Sequence, residues 1–285
     1  MSFFKTEVGK QEIFDLYNEK LRGLNIEYDY VNVETSIGTT NIIRSGDPEN
    51  PPILLVHGSN GCAPIALETY PNLSAHYRVY AIDVPAQPNK SAETRMSMKD
   101  NSFGRWMNEI MEQLHIENAR MIGFSFGGLI ILKTLEYDES RIKEVFLAAP
   151  AYIVNGNPLK LLMKVFIPIR RYISTGKIKY VEKFLAELFT ERDDFAVRFL
   201  AKVFRHYTMD FTPVPTISTG AAKSIKTPIT LFAAKNDLMF PGAKMIRRAS
   251  RIFPSLKRTT LLERSKHVQS KADNLTIESI VINHN

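Results

Sequence analysis

The sequence is poor in cysteine and in long hydrophobic runs, and both absences exclude classes of protein. Its one cysteine, Cys62, has no partner for an intrachain disulfide and cannot build a cysteine-rich metal site. No apolar run reaches the roughly 18 residues that mark a membrane-spanning helix. The first residues, Met1–Lys5, lack the apolar core and cleavage site of a signal peptide. We therefore expect a soluble, cytoplasmic protein with no integral membrane contact.

Composition is otherwise ordinary, but the charge is unevenly distributed. The chain of 285 residues is 44% hydrophobic and 24% charged, as in globular domains. Its formal net charge is +7, and residues 152–226 alone hold 13 Lys/Arg against 6 Asp/Glu. This basic segment favours either an anionic substrate or surface, or a solvated helical face, and both readings stay open. Because no aromatic-interleaved basic stripe or nucleic-acid motif accompanies it, we expect no nucleic-acid partner.

Short apolar runs alternate with helical stretches over most of the chain. The runs, each typical of a strand buried on both faces, are Ile53–Val56, Val79–Ile82, Ala119–Phe124, Glu144–Ala148, Ile229–Ala233 and Thr259–Leu262. Helical patterns such as Phe103–Leu114 and Gly127–Tyr137 lie between them. This alternation predicts an α/β fold with a mostly parallel central sheet and helices on both faces.

Two further elements precede the first buried run. Residues 8–22 have helical spacing, and residues 27–34 and 39–44 alternate around a turn signal as an antiparallel pair does. We expect this N-terminal strand pair to extend one edge of the sheet.

The alternation stops between residues 152 and 226. Helix candidates cover residues 159–173, 178–189 and 193–207, and no strand candidate separates them. We interpret this segment as a helical cap inserted into a core formed by residues 1–151 and 227–285. The alternative, that these helices belong to the ordinary core layer, stays open.

One serine lies between glycines where a strand candidate gives way to a helix. Gly123-Phe124-Ser125-Phe126-Gly127 follows an apolar strand and opens a helical pattern. This is the context of a nucleophile turn, in which glycine at the flanking positions lets the chain bend sharply and leaves the serine hydroxyl projecting above the sheet. The helix N-terminus directs its partial positive charge at the same place. Ser125 is therefore the candidate nucleophile.

A second glycine-containing loop follows the strand Ile53–Val56. It reads His57-Gly58-Ser59-Asn60-Gly61, which permits a tight turn with inward-facing N–H groups. Preorganised N–H donors stabilise the oxyanion of a tetrahedral intermediate. We assign these donors to the backbone N–H groups of Ser59 and Phe126, and we interpret His57 as structural.

These two motifs, in this order, resemble those of the α/β-hydrolase superfamily, and the likeness extends from about Glu27 to the end. The N-terminal helix, the Asp83-Val84-Pro85 loop and the position of the cap more narrowly resemble bacterial carboxylesterase-like members. The resemblance implies a catalytic acid and then a catalytic histidine after the serine.

Three histidines follow the candidate nucleophile: His206, His267 and His284. His206 lies in the cap, and His284 is penultimate and expected to fray. His267 follows the last strand candidate after a short loop, so it is the expected general base, which a weakly nucleophilic serine requires.

The expected acid is Asp237, because it follows the strand candidate beginning at Ile229 and precedes Pro241, as in the acid loop of the superfamily. Asp210 is a weaker candidate, since no buried strand precedes it.

Two positions depart from the superfamily pattern. Lys266 stands where a glycine often precedes the histidine, and the loop from Val84 to Ser91 has no glycine. A serine rather than an aspartate at position 125 implies an acyl-enzyme intermediate.

We therefore predict a serine hydrolase that cleaves a carboxylic ester with a small to medium apolar substrate. Thioesterase, carbon–carbon hydrolase and acyltransferase activities use the same triad and stay open, as does a non-catalytic ligand-binding role. No metal constellation or nucleotide-binding glycine motif is found, so no cofactor is expected. The oligomeric state stays open.

Overall fold

The computed structural model describes residues 2–284, and one sheet runs through them. The strands are β1 (Tyr28–Thr35), β2 (Gly38–Ser45), β3 (Pro52–Val56), β4 (Arg78–Ile82), β5 (Ala119–Phe124), β6 (Ile142–Ala148), β7 (Ile229–Ala234) and β8 (Leu256–Leu262). Their order in the sheet is β1-β2-β4-β3-β5-β6-β7-β8. The first two pairings, β1 with β2 and β2 with β4, are antiparallel, and every later one is parallel.

Helices cover both faces of this sheet. They are α1 (Glu7–Gly23), α2 (Ala63–Thr69), α3 (Ser102–Gln113), α4 (Phe126–Tyr137), α5 (Pro158–Leu161), α6 (Ile167–Thr175), α7 (Lys179–Leu188), α8 (Asp194–His206), α9 (Thr219–Ser224), α10 (Gly242–Ile252) and α11 (Lys271–Ile282). The predicted fold class, including the N-terminal antiparallel pair at one edge, is confirmed. No helix among residues 2–284 is long and apolar enough to cross a membrane.

Successive side chains of the central strands point to opposite faces and so enter different cores. Ile53 and Leu55 of β3 belong to the core under α1, α2 and α11, whereas Leu54 and Val56 belong to the core under α3, α4 and α10. Because both faces of the sheet are covered, these strands are apolar throughout. Their continuous apolar runs therefore predicted them correctly from the sequence.

The last strand is longer than predicted. β8 starts at Leu256, and its residues Lys257 to Thr259 are exposed at the edge of the sheet. An edge strand needs no continuous apolar run, so only its C-terminal part, Thr259–Leu262, resembled a strand in the sequence.

The helices between β6 and β7 differ in detail from the prediction. The single helix expected over residues 159–173 is divided into α5, a π-helical turn at Leu162–Phe166, and α6. Pro168 lies in the first turn of α6, and its missing N–H removes a helical hydrogen bond, so the helix widens just before it.

The ends of this insertion pack with the main core. Tyr152–Val154 and Ile217–Ile225 contribute buried residues to the same core as α3 and α4. Helices α5 to α8 lie between these ends and contribute to the other core, together with α1 and α2.

Helix α8 also docks on the N-terminal helix α1. Lys202 Nζ lies 2.9 Å from Glu12 Oε1, and a second ion pair joins Arg198 to Glu19. The backbone N–H of Lys5 donates to the carbonyl of His206 at 2.8 Å. Thus α1 holds the insertion against the core.

Candidate active site

Ser125 occupies a strained turn between β5 and α4. Its backbone has φ +53° and ψ −112°, a conformation that costs a non-glycine residue of order 1–3 kcal/mol. A Cβ at Gly123 would lie 2.7 Å from the backbone of Gly127, and a Cβ at Gly127 would lie 2.1 Å from the carbonyl oxygen of Val56. The flanking glycines are therefore required by close backbone approach.

Ser125, His267 and Asp237 form one hydrogen-bonded chain. His267 Nε2 lies 2.9 Å from Ser125 Oγ, and His267 Nδ1 lies 2.8 Å from Asp237 Oδ2. All three side chains are buried. With the proton of the ring on Nδ1, directed at the carboxylate, Nε2 is free to accept the proton of the serine hydroxyl.

The acid loop fixes the carboxylate of Asp237. Its Oδ1 accepts hydrogen bonds from the N–H groups of Met239 at 2.7 Å and Phe240 at 2.9 Å. This leaves Oδ2 for His267. The carboxylate is thus held by its own loop and directed at one partner.

Two aromatic rings flank the imidazole. The ring centroids of Phe124 and Phe240 lie 5.1 Å and 5.4 Å from that of His267. They restrict the rotation of the imidazole and shield its bond to the carboxylate from water.

Ser59 and Phe126 are the residues predicted to supply backbone N–H donors for an oxyanion. Both residues line the same cavity as Ser125. Phe126 is the first residue of α4, so its N–H has no acceptor within the helix. A Cβ at Gly58 would lie 2.8 Å from the Phe124 ring, so the loop after β3 passes close to the nucleophile turn.

His57 joins two loops. One ring nitrogen, Nδ1, donates to the carbonyl of Gly58 at 2.7 Å, and Nε2 accepts from the N–H of Val84 at 3.0 Å. Burial lowers the pKa of His57 to about 4. A neutral, doubly hydrogen-bonded imidazole is in keeping with the structural role predicted for it.

The other histidines are engaged elsewhere. His206 on α8 lies 3.2 Å from Glu12 of α1. The expectation that His284 frays is wrong, because its Nδ1 lies 2.7 Å from Glu144 Oε2 and its ring packs edge-on against Phe146. The weaker acid candidate, Asp210, accepts from the N–H and hydroxyl of Thr212 within its own turn.

Lys266 is explained by its contact with the insertion. Its Nζ donates to the carbonyl of Ala186, in the last turn of α7, at 2.6 Å. A cation at the C-terminus of a helix satisfies a free carbonyl and complements the helix dipole. The backbone at position 266 is not among those with positive φ, so glycine is not needed there. The residue therefore ties the histidine loop to α7.

The loop without glycine is stabilised by side chains instead. Ala86 adopts φ +56°, a left-handed conformation in which glycine is usual. Around it, Asn89 Nδ2 donates to the carbonyl of Val84 at 3.0 Å, and Ser91 Oγ donates to the carbonyl of Asp83 at 2.6 Å.

Sequence reasoning missed the buried carboxylate at the start of this loop. Asp83 accepts hydrogen bonds from the Tyr17 hydroxyl at 2.9 Å, the Asn41 amide at 2.8 Å and the Ala63 N–H at 2.7 Å. Burial raises the pKa of Asp83 to about 6. The only available signal was an aspartate directly after a buried strand. The network joins the start of this loop to α1, β2 and α2.

A large apolar cavity extends from Ser125 to the insertion. Its volume is about 1120 Å³, and Ser125 and His267 lie in its wall. The apolar residues that α6, α7, α8 and the preceding π turn contribute to it are Val165, Phe166, Ile169, Phe184, Leu188, Phe195, Ala196, Phe199, Leu200 and Phe204. An ester placed at Ser125 would thus have its apolar part against the insertion.

Comparison with known proteins gives consistent findings. A family model described as the alpha/beta hydrolase fold matches residues 51–170. An uncharacterized carboxylesterase, nap, of Bacillus subtilis (strain 168) is 25% identical over 275 residues, which is 90% of this chain and 86% of that protein. Carboxylesterase YbfK of the same strain is 31% identical over 154 residues, 53% of this chain and 51% of its own.

A solved structure extends this likeness. Naproxen esterase of Bacillus subtilis superposes with a TM-score of 0.83 at 22% identity, covering 96% of this chain and 97% of its own. The chain therefore has the alpha/beta hydrolase fold, and its similarity to these carboxylesterases supports a serine hydrolase enzyme.

Proposed function

We propose that the protein hydrolyses carboxylic esters through an acyl-enzyme, with Ser125 as nucleophile, His267 as general base and Asp237 as the residue that orients it. The observation that carries this proposal is the hydrogen-bonded chain of these three side chains in the wall of an apolar cavity. Such a chain activates a hydroxyl that is otherwise a weak nucleophile at neutral pH.

Acylation follows from this geometry. Ser125 Oγ attacks the ester carbonyl carbon while His267 Nε2 takes the hydroxyl proton. The carbonyl oxygen becomes negative, and the N–H groups of Ser59 and Phe126 stabilise it. When the tetrahedral intermediate collapses, the bond to the alkoxide breaks and the leaving oxygen takes the proton from His267. The alcohol departs and the acyl group stays on Ser125.

Deacylation reverses these roles with water. His267 removes a proton from a water molecule, whose oxygen attacks the acyl carbon and forms a second oxyanion in the same place. Collapse breaks the bond to Ser125 Oγ, which recovers its proton from His267, and the carboxylic acid leaves. Asp237 keeps the imidazole in one tautomer and stabilises its charged form in both halves.

Both proposed oxyanion donors are backbone N–H groups, so their positions are fixed by the fold of the main chain. Each preorganised donor of this kind contributes about 10²–10³ to the rate of acyl transfer. The donor of Phe126 also lies at the N-terminus of α4, where the helix dipole favours negative charge.

We also propose that α5 to α8 act as the cap over this site. This is narrower than residues 152–226, because both ends of that segment pack in the main core. The cap contributes most of the aromatic wall of the cavity, so its side chains select substrates by shape. The apolar character of that wall favours an ester with an apolar acyl or alcohol part.

The test compares Ser125→Ala with Ser224→Ala. Ser224 is an exposed serine of α9, so its variant controls for the loss of a hydroxyl. We expect Ser125→Ala to lower kcat on a p-nitrophenyl ester by at least about 10³-fold and to abolish labelling by a fluorophosphonate probe. Ser224→Ala is expected to keep both. An unchanged rate in Ser125→Ala would refute the assignment, and absence of labelling in the native chain would favour a binding-only protein.

A further inference from the structure

The outer side of the cap carries exposed apolar side chains. Leu159 is 70% exposed, Leu162 48% and Met163 61%. Leu159 lies in α5, and Leu162 and Met163 follow it in the π-helical turn. Phe211 is 52% exposed, and its ring packs against that of Phe166, 5.7 Å away. Single exposed apolar residues are normal, but a neighbouring group of them marks an interaction surface.

The same segment is strongly basic. Residues 158–183 contain one acidic residue, Glu182, and these cationic ones: Lys160, Lys164, Arg170, Arg171, Lys177, Lys179 and Lys183. Lys164 pairs with Glu187 at 2.8 Å. The other six form no ion pair with any residue among 2–284. Their charge is therefore available to an external partner. We call the exposed part of residues 158–183, together with Phe211, the cap patch.

The cap patch borders the cavity. Leu161, Val165 and Ile169, on the inner side of the same helices, line the cavity that holds Ser125. Phe166 and Phe211 also contribute to its wall. One segment thus presents its inner face to the substrate site and its outer face to the surroundings.

We propose that the cap patch docks on the surface of an anionic phospholipid bilayer. A helix with exposed leucine and methionine among lysine and arginine matches both layers of such a surface. The apolar side chains enter the boundary of the acyl chains, and the cations remain among the anionic headgroups. Docking there would turn the cavity rim toward the phase in which apolar esters concentrate.

Charge argues against a second copy of the chain as the occupant. A two-fold interface brings the same patch of both copies together. It would place two strongly basic segments in contact, and like charges across an interface are costly. An anionic lipid surface complements the same charge.

The test measures binding and needs no turnover. The full-length Ser125→Ala chain is sedimented with vesicles of phosphatidylglycerol or of phosphatidylcholine, so that failure of the proposed ester hydrolysis would not affect the outcome. We expect binding to phosphatidylglycerol that weakens with added salt, and much weaker binding to phosphatidylcholine. Each cation near an anionic surface strengthens binding about fivefold, so Lys160→Gln with Arg170→Gln and Arg171→Gln should weaken it about a hundredfold.

A matched control removes the same charge elsewhere. Arg251, Lys257 and Arg258 are exposed on α10 and β8, outside the cap patch. Changing these three to glutamine should weaken binding by no more than a few-fold. The double variant Leu159→Ser/Met163→Ser should also bind more weakly. Because it removes apolar contact, which salt does not screen, the loss should persist at high salt.

Three outcomes would overturn the proposal. One is no binding to phosphatidylglycerol. Another is an equal loss in the two triple-glutamine variants, which would indicate a general attraction to the net charge. The third is self-association of the chain without lipid that Leu159→Ser with Met163→Ser abolishes, which would make the patch an interface between copies. Circular dichroism and thermal melting check that each variant is folded.

Discussion

Replacing Asp237 by asparagine should invert the proton arrangement at the active site while leaving the shape almost unchanged. In the native chain, Oδ1 of the carboxylate accepts hydrogen bonds from the N–H groups of Met239 and Phe240. The side-chain oxygen of asparagine can accept the same two hydrogen bonds. In that orientation the amide NH₂ faces His267 Nδ1. The opposite orientation would leave two buried N–H groups unpaired, at about 1–3 kcal/mol each, so it is disfavoured.

The favoured orientation places a donor against the imidazole. His267 Nδ1 must then accept, and the ring proton moves to Nε2, which lies 2.9 Å from Ser125 Oγ. In that tautomer the ring cannot take the hydroxyl proton. Loss of the correct tautomer in a serine triad lowers kcat by about 10⁴, equivalent to about 5 kcal/mol in the barrier.

The assay is steady-state hydrolysis of a p-nitrophenyl ester, with kcat and KM measured separately and thermal melting as the check on folding. We expect kcat to fall and KM to change little, because the carboxylate orients the base and does not bind substrate. Asp210→Asn is the control, since Asp210 is bonded to Thr212 in its own turn. A kcat within about tenfold of the native value in Asp237→Asn, or a large fall in Asp210→Asn, would refute the reasoning.

Two further substitutions test how the site is held in place. Gly127→Ala would put a methyl group 2.1 Å from the carbonyl oxygen of Val56, so we expect a loss of at least about 1–3 kcal/mol in the free energy of unfolding and a fall in kcat. The control is Gly220→Ala, because the nearest atom to its new Cβ would lie 3.9 Å away. Both variants are compared by thermal and urea unfolding, and an equal loss in the free energy of unfolding would contradict the steric argument. Lys266→Gly should retain kcat and lower the free energy of unfolding by about 1–2 kcal/mol, because it loses the bond to Ala186 and frees the unfolded chain. A large fall in kcat, repeated in Lys266→Met, would instead make the ammonium part of the catalytic site.

The sequence predicted the central elements of the fold because their environment restricts their composition. Strands β3 and β5, covered on both faces, must be apolar, so their pattern was unambiguous. The exposed start of β8 does not have to be apolar, so its sequence did not indicate a strand. The division of the helix predicted over residues 159–173 depends on one proline within an otherwise helical pattern. Composition alone does not distinguish those cases.

The order of motifs predicted three side chains that the structure brings together, but their surroundings depend on tertiary contacts. Ser125, Asp237 and His267 each follow a strand, and the carboxyl ends of parallel strands meet at one edge of the sheet, so their convergence could be expected. The contact of His284 with Glu144 joins residues far apart in the chain, and no local pattern marks it. Lys266 looked anomalous because its partner is a backbone carbonyl of the insertion, which carries no sequence signal.

The contacts of the insertion also explain why one part of it is more exposed than the rest. Helix α8 is bonded to α1 through Lys202 and Glu12, and the end of α7 is bonded to the histidine loop, where the N–H of Val268 donates to the carbonyl of Leu188 at 2.9 Å. These bonds hold α8 against α1, and the end of α7 against the loop that carries His267. Helices α5 and α6, with the π turn between them, lie outside that arrangement and carry the exposed apolar and basic side chains. The part of the insertion that is bonded to the histidine loop is therefore distinct from the part that carries the exposed apolar and basic side chains.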